Sequence, residues 1–172
     1  QIGDEGIIFN DNFNFKVVNT TKIFNNYFLH YGEVIKGSCN LHEQVTASIN
    51  IKKRKLIRNN HSATHLLHAA LRKVLGNHVT QKGSLVNENK LRFDFSHGDL
   101  INEENIEKIE SNITDIILQE LNVETQILDH KTAISNGAMA LFGEKYGDEV
   151  RVITIEENEN NFFSRELCGG TH

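Results

Sequence analysis

The sequence has no proline and no tryptophan, one methionine, and only two cysteines, Cys39 and Cys168, in 172 residues. Two widely separated cysteines exclude a disulfide framework and fit a reducing, cytoplasmic setting. No uninterrupted apolar run approaches the ~18 residues needed to cross a bilayer, and no basic segment followed by an apolar one opens the chain. Neither a membrane partner nor a secretory signal is therefore expected. With no proline, and no stretch rich in glycine or serine, no flexible linker is visible. Positive charge is also in deficit: the formal net charge is −5, which argues against a nucleic-acid binder that uses its whole surface. The chain begins at Gln1 rather than methionine, which suggests a piece of something longer.

Histidine, by contrast, is concentrated. The stretch "RNNHSATHLLHAALRKVLG" carries His61, His65 and His68 followed by Arg72. At about 100° per residue these four fall in one stripe of an α-helix, whereas Ala63, Leu66, Leu67, Ala70, Leu71 and Val74 gather opposite, with Gly76 as a stop. The expectation is an amphipathic helix anchored by its apolar face, with the histidines turned away from it. His61 and His65 are one turn apart and can converge on one ion. Just before this stretch, "KKRKLIR" contributes Lys52, Lys53, Arg54, Lys55 and Arg58, a local basic patch that reads either as a solvated element end or as a phosphate contact.

Residues 1 to 57 show short strand-like runs, "GIIF", "FKVVN", "YFLHYGEVI" and "VTASINI", separated by Asn and Gly, and read as a small antiparallel β subdomain. The Asn runs at 10 to 14, 25 to 26 and 158 to 161 read as loop filler. After the histidine helix come two candidate strands, "VTQKGSLV" and "KLRFDFSH". A clear amphipathic helix then spans 102 to 121, with Asn102 as its cap and Ile106, Ile109, Ile113, Ile116, Ile117 and Leu121 at helical spacing. Strands at 123 to 129 and 149 to 155, the short helical or irregular "KTAISNGAMALFGEKYG" between them, and a strand "FFSRE" complete an α+β core over 58 to 172.

The chain ends "ELCGGTH". Cys168 and His172 are again four apart, and Gly169 and Gly170 permit a tight, left-handed backbone that turns both side chains toward one point. His61, His65, Cys168 and His172 together offer three imidazole nitrogens and a thiolate, a set suited to zinc. Four protein ligands also fill a tetrahedral ion, so a closed structural staple and a catalytic centre are both compatible with this set.

The strings "QIGDEG" at 1 to 6, "NHSATHLLHAALRKVLGNHVTQKGSLV" at 60 to 86, "LRFDFSH" at 91 to 97 and "CGGTH" at 168 to 172 resemble the editing domain of alanyl-tRNA synthetase. The domain is shared with free-standing trans-editing proteins and, more distantly, with threonyl-tRNA synthetase. The resemblance covers nearly the whole chain but is weak over 10 to 44, where no residue is carried over. It implies a two-layer core of antiparallel sheet and helices over 58 to 172, preceded by a small β-barrel-like lobe over 1 to 57. It also implies zinc-dependent hydrolysis of the ester of tRNA(Ala) mischarged with serine or glycine. The parent enzyme is an ATP-using ligase whose other parts would be partners of this segment. Gln81 matches the position that lines the family's substrate pocket, where its amide can bond the serine hydroxyl or orient water. Cys168 and Gln81 are thus the candidate catalytic residues, and zinc is held by His61, His65, Cys168 and His172.

Other readings remain open on residue types alone. One is a zinc-stapled tRNA-binding module without turnover, with "KKRKLIR" as its footprint; another is a free-standing deacylase. A metalloprotease is disfavoured, because His61-Ser62-Ala63 stands where H-E-x-x-H needs glutamate. A cysteine-nucleophile hydrolase conflicts with Cys168 acting as a ligand. His68 reads as a support for the ligands or a surface residue, His78 and His97 as structural, and neither Asp94 nor Lys82 is placed by the pattern.

Overall fold

The computed structural model describes residues 1–23, 27–140, 146–158 and 161–172. Residues 25 and 26, 141 to 145 of the "KTAISNGAMALFGEKYG" segment, and residues 159 and 160 of the last Asn run lie outside these. Four strands open the chain: β1 (Gly6–Phe9), β2 (Phe13–Ile23), β3 (Tyr27–Gly37) and β4 (Thr46–Ile49). They form one antiparallel sheet in the order β3-β2-β1-β4. Its outer strands β3 and β4 do not pair with each other, so the sheet is open where a barrel-like closure was expected.

Helix α1 (Ile51–Leu75) follows at once. The Asn50 side chain accepts from Lys53 N–H at 3.1 Å, which satisfies one of the donors a helix start leaves without a partner. No glycine or proline interrupts the next 25 residues. "KKRKLIR" therefore occupies the first two turns of α1 rather than preceding the helix, and the expected division between 57 and 58 falls inside it. Gly76 ends the helix with φ 116°, and its N–H bonds Arg72 O.

The hairpin β5 (Gln81–Val86) and β6 (Leu91–Phe95) packs on α1, as does α2 (Glu103–Leu118), whose Asn102 cap accepts from Asn105 N–H at 2.8 Å. Strand β7 (Val123–Asp129), the short helix α3 (His130–Ser135), β8 (Glu149–Asn158) and β9 (Asn161–Leu167) complete the order. The last sheet is antiparallel, β7-β8-β9, and β9 lies against α1. Over the described residues the molecule is thus α+β with antiparallel sheets and three helices, as the pattern implied.

The core sits where these pieces meet. Ala70, Leu71, Val79, Phe93 and Ile109 form one buried cluster, Leu66, Ile116 and Ile155 a second that joins both long helices to β8. Ala133, Ala138, Val150, Val152 and Leu167 close a third beneath α3. Because β9 lies against α1 and sets Glu166 on His65 and His68, the histidine stripe is not a solvent face: His65 and His68 are buried, the latter with only 1% of its surface exposed.

The two isoleucine environments of α2 separate cleanly. Ile109→Ala should destabilise the fold by about 2–5 kcal/mol through a core cavity, whereas Ile117→Ala, at an exposed position, should cost no more than about 0.5 kcal/mol. Urea unfolding of both variants checks this.

Candidate metal centre

His61 and His65 lie on successive turns of α1, and Cys168 and His172 lie in the segment that leaves β9. Helical spacing sets the first pair. The second arrives because β9 runs antiparallel to β8 and delivers Cys168 opposite Arg151, whose carbonyl accepts from Cys168 N–H at 3.0 Å. Arg151 then fixes the turn that follows, donating through Nη1 to Cys168 O at 2.9 Å and Gly170 O at 2.6 Å.

The four candidate ligand atoms all lie within 4.8 Å of one another. His61 Nε2 and His172 Nε2 are each 3.5 Å from Cys168 Sγ. Metal–sulfur and metal–nitrogen distances of about 2.3 and 2.05 Å at a tetrahedral angle give an N···S separation of about 3.6 Å, so the spacing is that of atoms sharing one ion.

Each imidazole is oriented by a partner on its other nitrogen. His61 Nδ1 is 2.8 Å from Gln1 Oε1, His65 Nδ1 is 2.9 Å from Glu166 Oε2, and His172 Nδ1 is 3.1 Å from Ser62 Oγ. With the Nδ1 positions so occupied, the three Nε2 atoms are left for the centre, and His65 Nε2 is buried with no hydrogen-bond partner. A buried, unpaired nitrogen is costly unless something binds it, so this atom fits a metal ion. His68 Nε2 is also without a partner, but its ring packs against Phe93, 5.1 Å between centroids, rather than joining the four.

Glu166 is the residue that the sequence reading missed. Its carboxylate is buried beneath the cluster, with Oε2 accepting from His65 Nδ1–H and Oε1 from His68 Nδ1–H at 3.1 Å and Ser164 Oγ at 3.3 Å. Burial pushes its pKa up, but the hydrogen bonds from His65 and His68 outweigh that and hold it at about 2. For His65, burial lowers the pKa, while the neighbouring Cys168 sulfur and the bond to Glu166 raise it to about 9. For Cys168, burial raises it and the surrounding imidazoles of His172, His61 and His65 bring it down to about 3, which favours the thiolate. His172 is lowered, chiefly by burial. The one signal in the sequence was that Glu166 stands two residues before Cys168 on a strand, hence on the same face.

The glycines serve a different purpose from the one expected. Neither Gly169 nor Gly170 has a positive φ. A Cβ on Gly170 would instead overlap the His61 ring, while a Cβ at Gly169 meets nothing within 4 Å. The position after the next must be bare so that the turn can lie on the imidazole.

Gln81 begins β5 opposite Phe95 and is half-buried, and no hydrogen bond joins its amide to the four. His78 and His97 pair with each other, Nε2 to Nδ1 at 2.9 Å, away from the centre. Asp94 bonds Arg92 at the surface, Lys82 is exposed, and Cys39 is exposed and free.

Fold and site together define an α+β protein with a His/His/Cys/His cluster at metal-binding distances. No family model matches the chain. Among curated proteins, the alanine–tRNA ligase of Chelativorans sp. (strain BNC1) is 49% identical over 177 residues. That of Ruthia magnifica subsp. Calyptogena magnifica is 51% identical over 172, and that of Parvibaculum lavamentivorans 47% over 176. All of this chain is covered in each case, and it spans 20% of each relative's length. Identity near one half over alignments that cover the whole chain places it in the alanyl-tRNA synthetase family, matched to one segment of those longer proteins.

Two variants test the support of the centre. Glu166→Gln should lower stability at neutral pH by about 3 kcal/mol, because one partner of a buried charged set is removed, and weaken the binding of an added divalent metal about 10–100-fold in competition with a chelator. The depressed pKa of Glu166 means its contribution is fully present above pH 4.5 and is lost as pH falls toward 2. Between those values the unaltered chain should lose more stability than the variant in urea melts. Separately, Gly170→Ala should displace His61 and weaken metal binding, with Gly169→Ala leaving it unchanged, as read by titration with a divalent metal.

Proposed function

We propose that this chain is the editing segment of an alanyl-tRNA synthetase and that it hydrolyses the ester linking serine or glycine to tRNA(Ala). The observation that carries the reading is the convergence of three oriented imidazoles and one thiolate at the end of β9, within a chain about half identical to alanine–tRNA ligases. Three nitrogens and a thiolate sulfur suit Zn2+. His61, His65, Cys168 and His172 would hold it. When bound there, zinc supplies a Lewis acid that can polarise an ester carbonyl or acidify water.

The residues of the chain provide the rest. Gln1, Glu166 and Ser62 keep the imidazole Nε2 atoms aimed at the centre, and the buried Glu166 offsets its positive charge. Gln81 is assigned to the substrate: its amide would bond the hydroxyl of serine or hold the attacking water. Such a bond lets the site prefer serine to alanine. An active site shaped for a methyl group cannot strongly reject a hydrogen or an added hydroxyl, so errors must be removed by a second sieve. The β-rich part over 1 to 57 and the α+β part over 58 to 172 would share α1, with the hydrolytic centre in the second.

Four protein ligands also favour a second reading, a zinc-stapled RNA-binding module without turnover. One preparation distinguishes the two. Cys168→Ala should lose zinc and abolish hydrolysis of seryl-tRNA(Ala), with alanyl-tRNA(Ala) as the control substrate. Undiminished turnover in metal-free protein overturns the catalytic role, and zinc-loaded protein that binds tRNA without deacylating it supports the staple.

A further inference from the structure

A cleft of about 560 Å³ opens beside the cluster, with His172, Thr171, Gly170 and Gly169 as one wall. The first turns of α1 also line it, and four cationic side chains do so: Arg54, Lys55, Arg58 and Arg151. No carboxylate does, although the chain as a whole carries a net charge of −5.

The cations are not equivalent. Arg151 is held by the carbonyls of Cys168 and Gly170, and Arg54 is paired with Asp4. Lys53 is outside the cleft, neutralised by Glu5 and by Glu88 at 3.2 Å. Lys55 and Arg58 are exposed and have no acidic partner among the described residues. Two uncompensated cations in an acid-free cleft call for an anion. At 1.5 Å rise per residue, Arg58 lies about 4.5 Å and Lys55 about 9 Å along α1 from His61, toward the helix start. That is a row of charge leading away from the centre, which suits a chain of phosphates better than a single one.

Resting on the editing reading, we infer that this cleft seats the 3′-terminal phosphodiesters of the RNA, with Lys55 and Arg58 as their contacts. The RNA then reaches the metal centre along the N-terminal half of α1. Its terminal ribose lies at the centre, and the preceding linkages pass over the cations. A second cleft, formed by Gln1, Ile2, Gly3, Asn19–Lys22 and the two glycines, offers the alternative approach, with Lys22 as the cationic side chain in its lining.

The test is binding of uncharged tRNA(Ala) as a function of salt, which needs no hydrolysis and so separates this inference from the editing reading. The Lys55→Ala/Arg58→Ala pair should weaken binding and flatten the slope of log K against log[salt] by about 1.4, the value for two single-strand phosphates. Lys22→Ala and Lys73→Ala, the latter at the far end of α1, should leave the slope unchanged. For tRNA lacking its last two nucleotides the double variant should cause no further loss, since the contacts are already gone. Unchanged zinc content shows that the double variant is folded.

An unchanged slope, a loss confined to Lys22→Ala, additive effects with the truncated RNA, or no RNA binding by the unaltered chain each overturns the inference. Equal competition by inorganic phosphate and by the RNA end would assign the cleft to a lone anion and also overturns it. Deacylation that persists with an unchanged slope would overturn this inference alone.

Discussion

The Glu166 carboxylate, buried between the side chains of His65 and His68, is the interaction on which the centre depends. A carboxylate taken out of water is tolerable only if its lone pairs are satisfied, and here Oε1 and Oε2 accept bonds from two imidazoles and a serine hydroxyl. The same bonds fix which nitrogen of His65 faces the centre. One buried charge thus links β9 to α1, and a strand placed for any other reason would not bring Cys168 within reach of His61.

Everything that positions the cluster follows from that docking. Strand β8 holds β9 in register, Arg151 extends the hold by gripping the carbonyls of the turn beyond it, and the bare Gly170 lets that turn rest on the His61 ring. Gln1 binds the outer side of the same ring and, through the same oxygen, Thr171 N–H at 3.0 Å. Residues from three distant parts of the chain therefore enclose a single point, and the basic first turns of α1 border the cleft that leads to it.

Much of this was legible in advance where the signal is local. The α2 helix was readable from its Asn102 cap and isoleucine spacing, and β1 and β7 from runs of branched residues bounded by turn formers. The metal cluster was legible because two four-residue spacings of ligand types occurred together. The start of α1 was not: the Asn50 cap is followed by eight cationic or apolar residues that read equally well as a strand end. Glu166 was not either, since an acid in a strand reads as solvent-facing unless its neighbours in space are known. The histidine stripe reads only as a face turned away from the apolar one, because helical periodicity reports that a face differs and not what covers it.

The sequence by itself determined which residues are helical, which alternate, and which ligand-bearing pairs exist, because those properties depend on chain neighbours within a few residues. Only the tertiary structure decided that the two pairs share a centre, that the carboxylate supporting it is Glu166, and that Lys55 and Arg58 stand in a cleft with no acidic partner among the described residues while Lys53 is neutralised. Burial, pairing and convergence are set by elements distant in sequence, and charge and hydrogen bonding act through space with no regard for the order of residues along the chain.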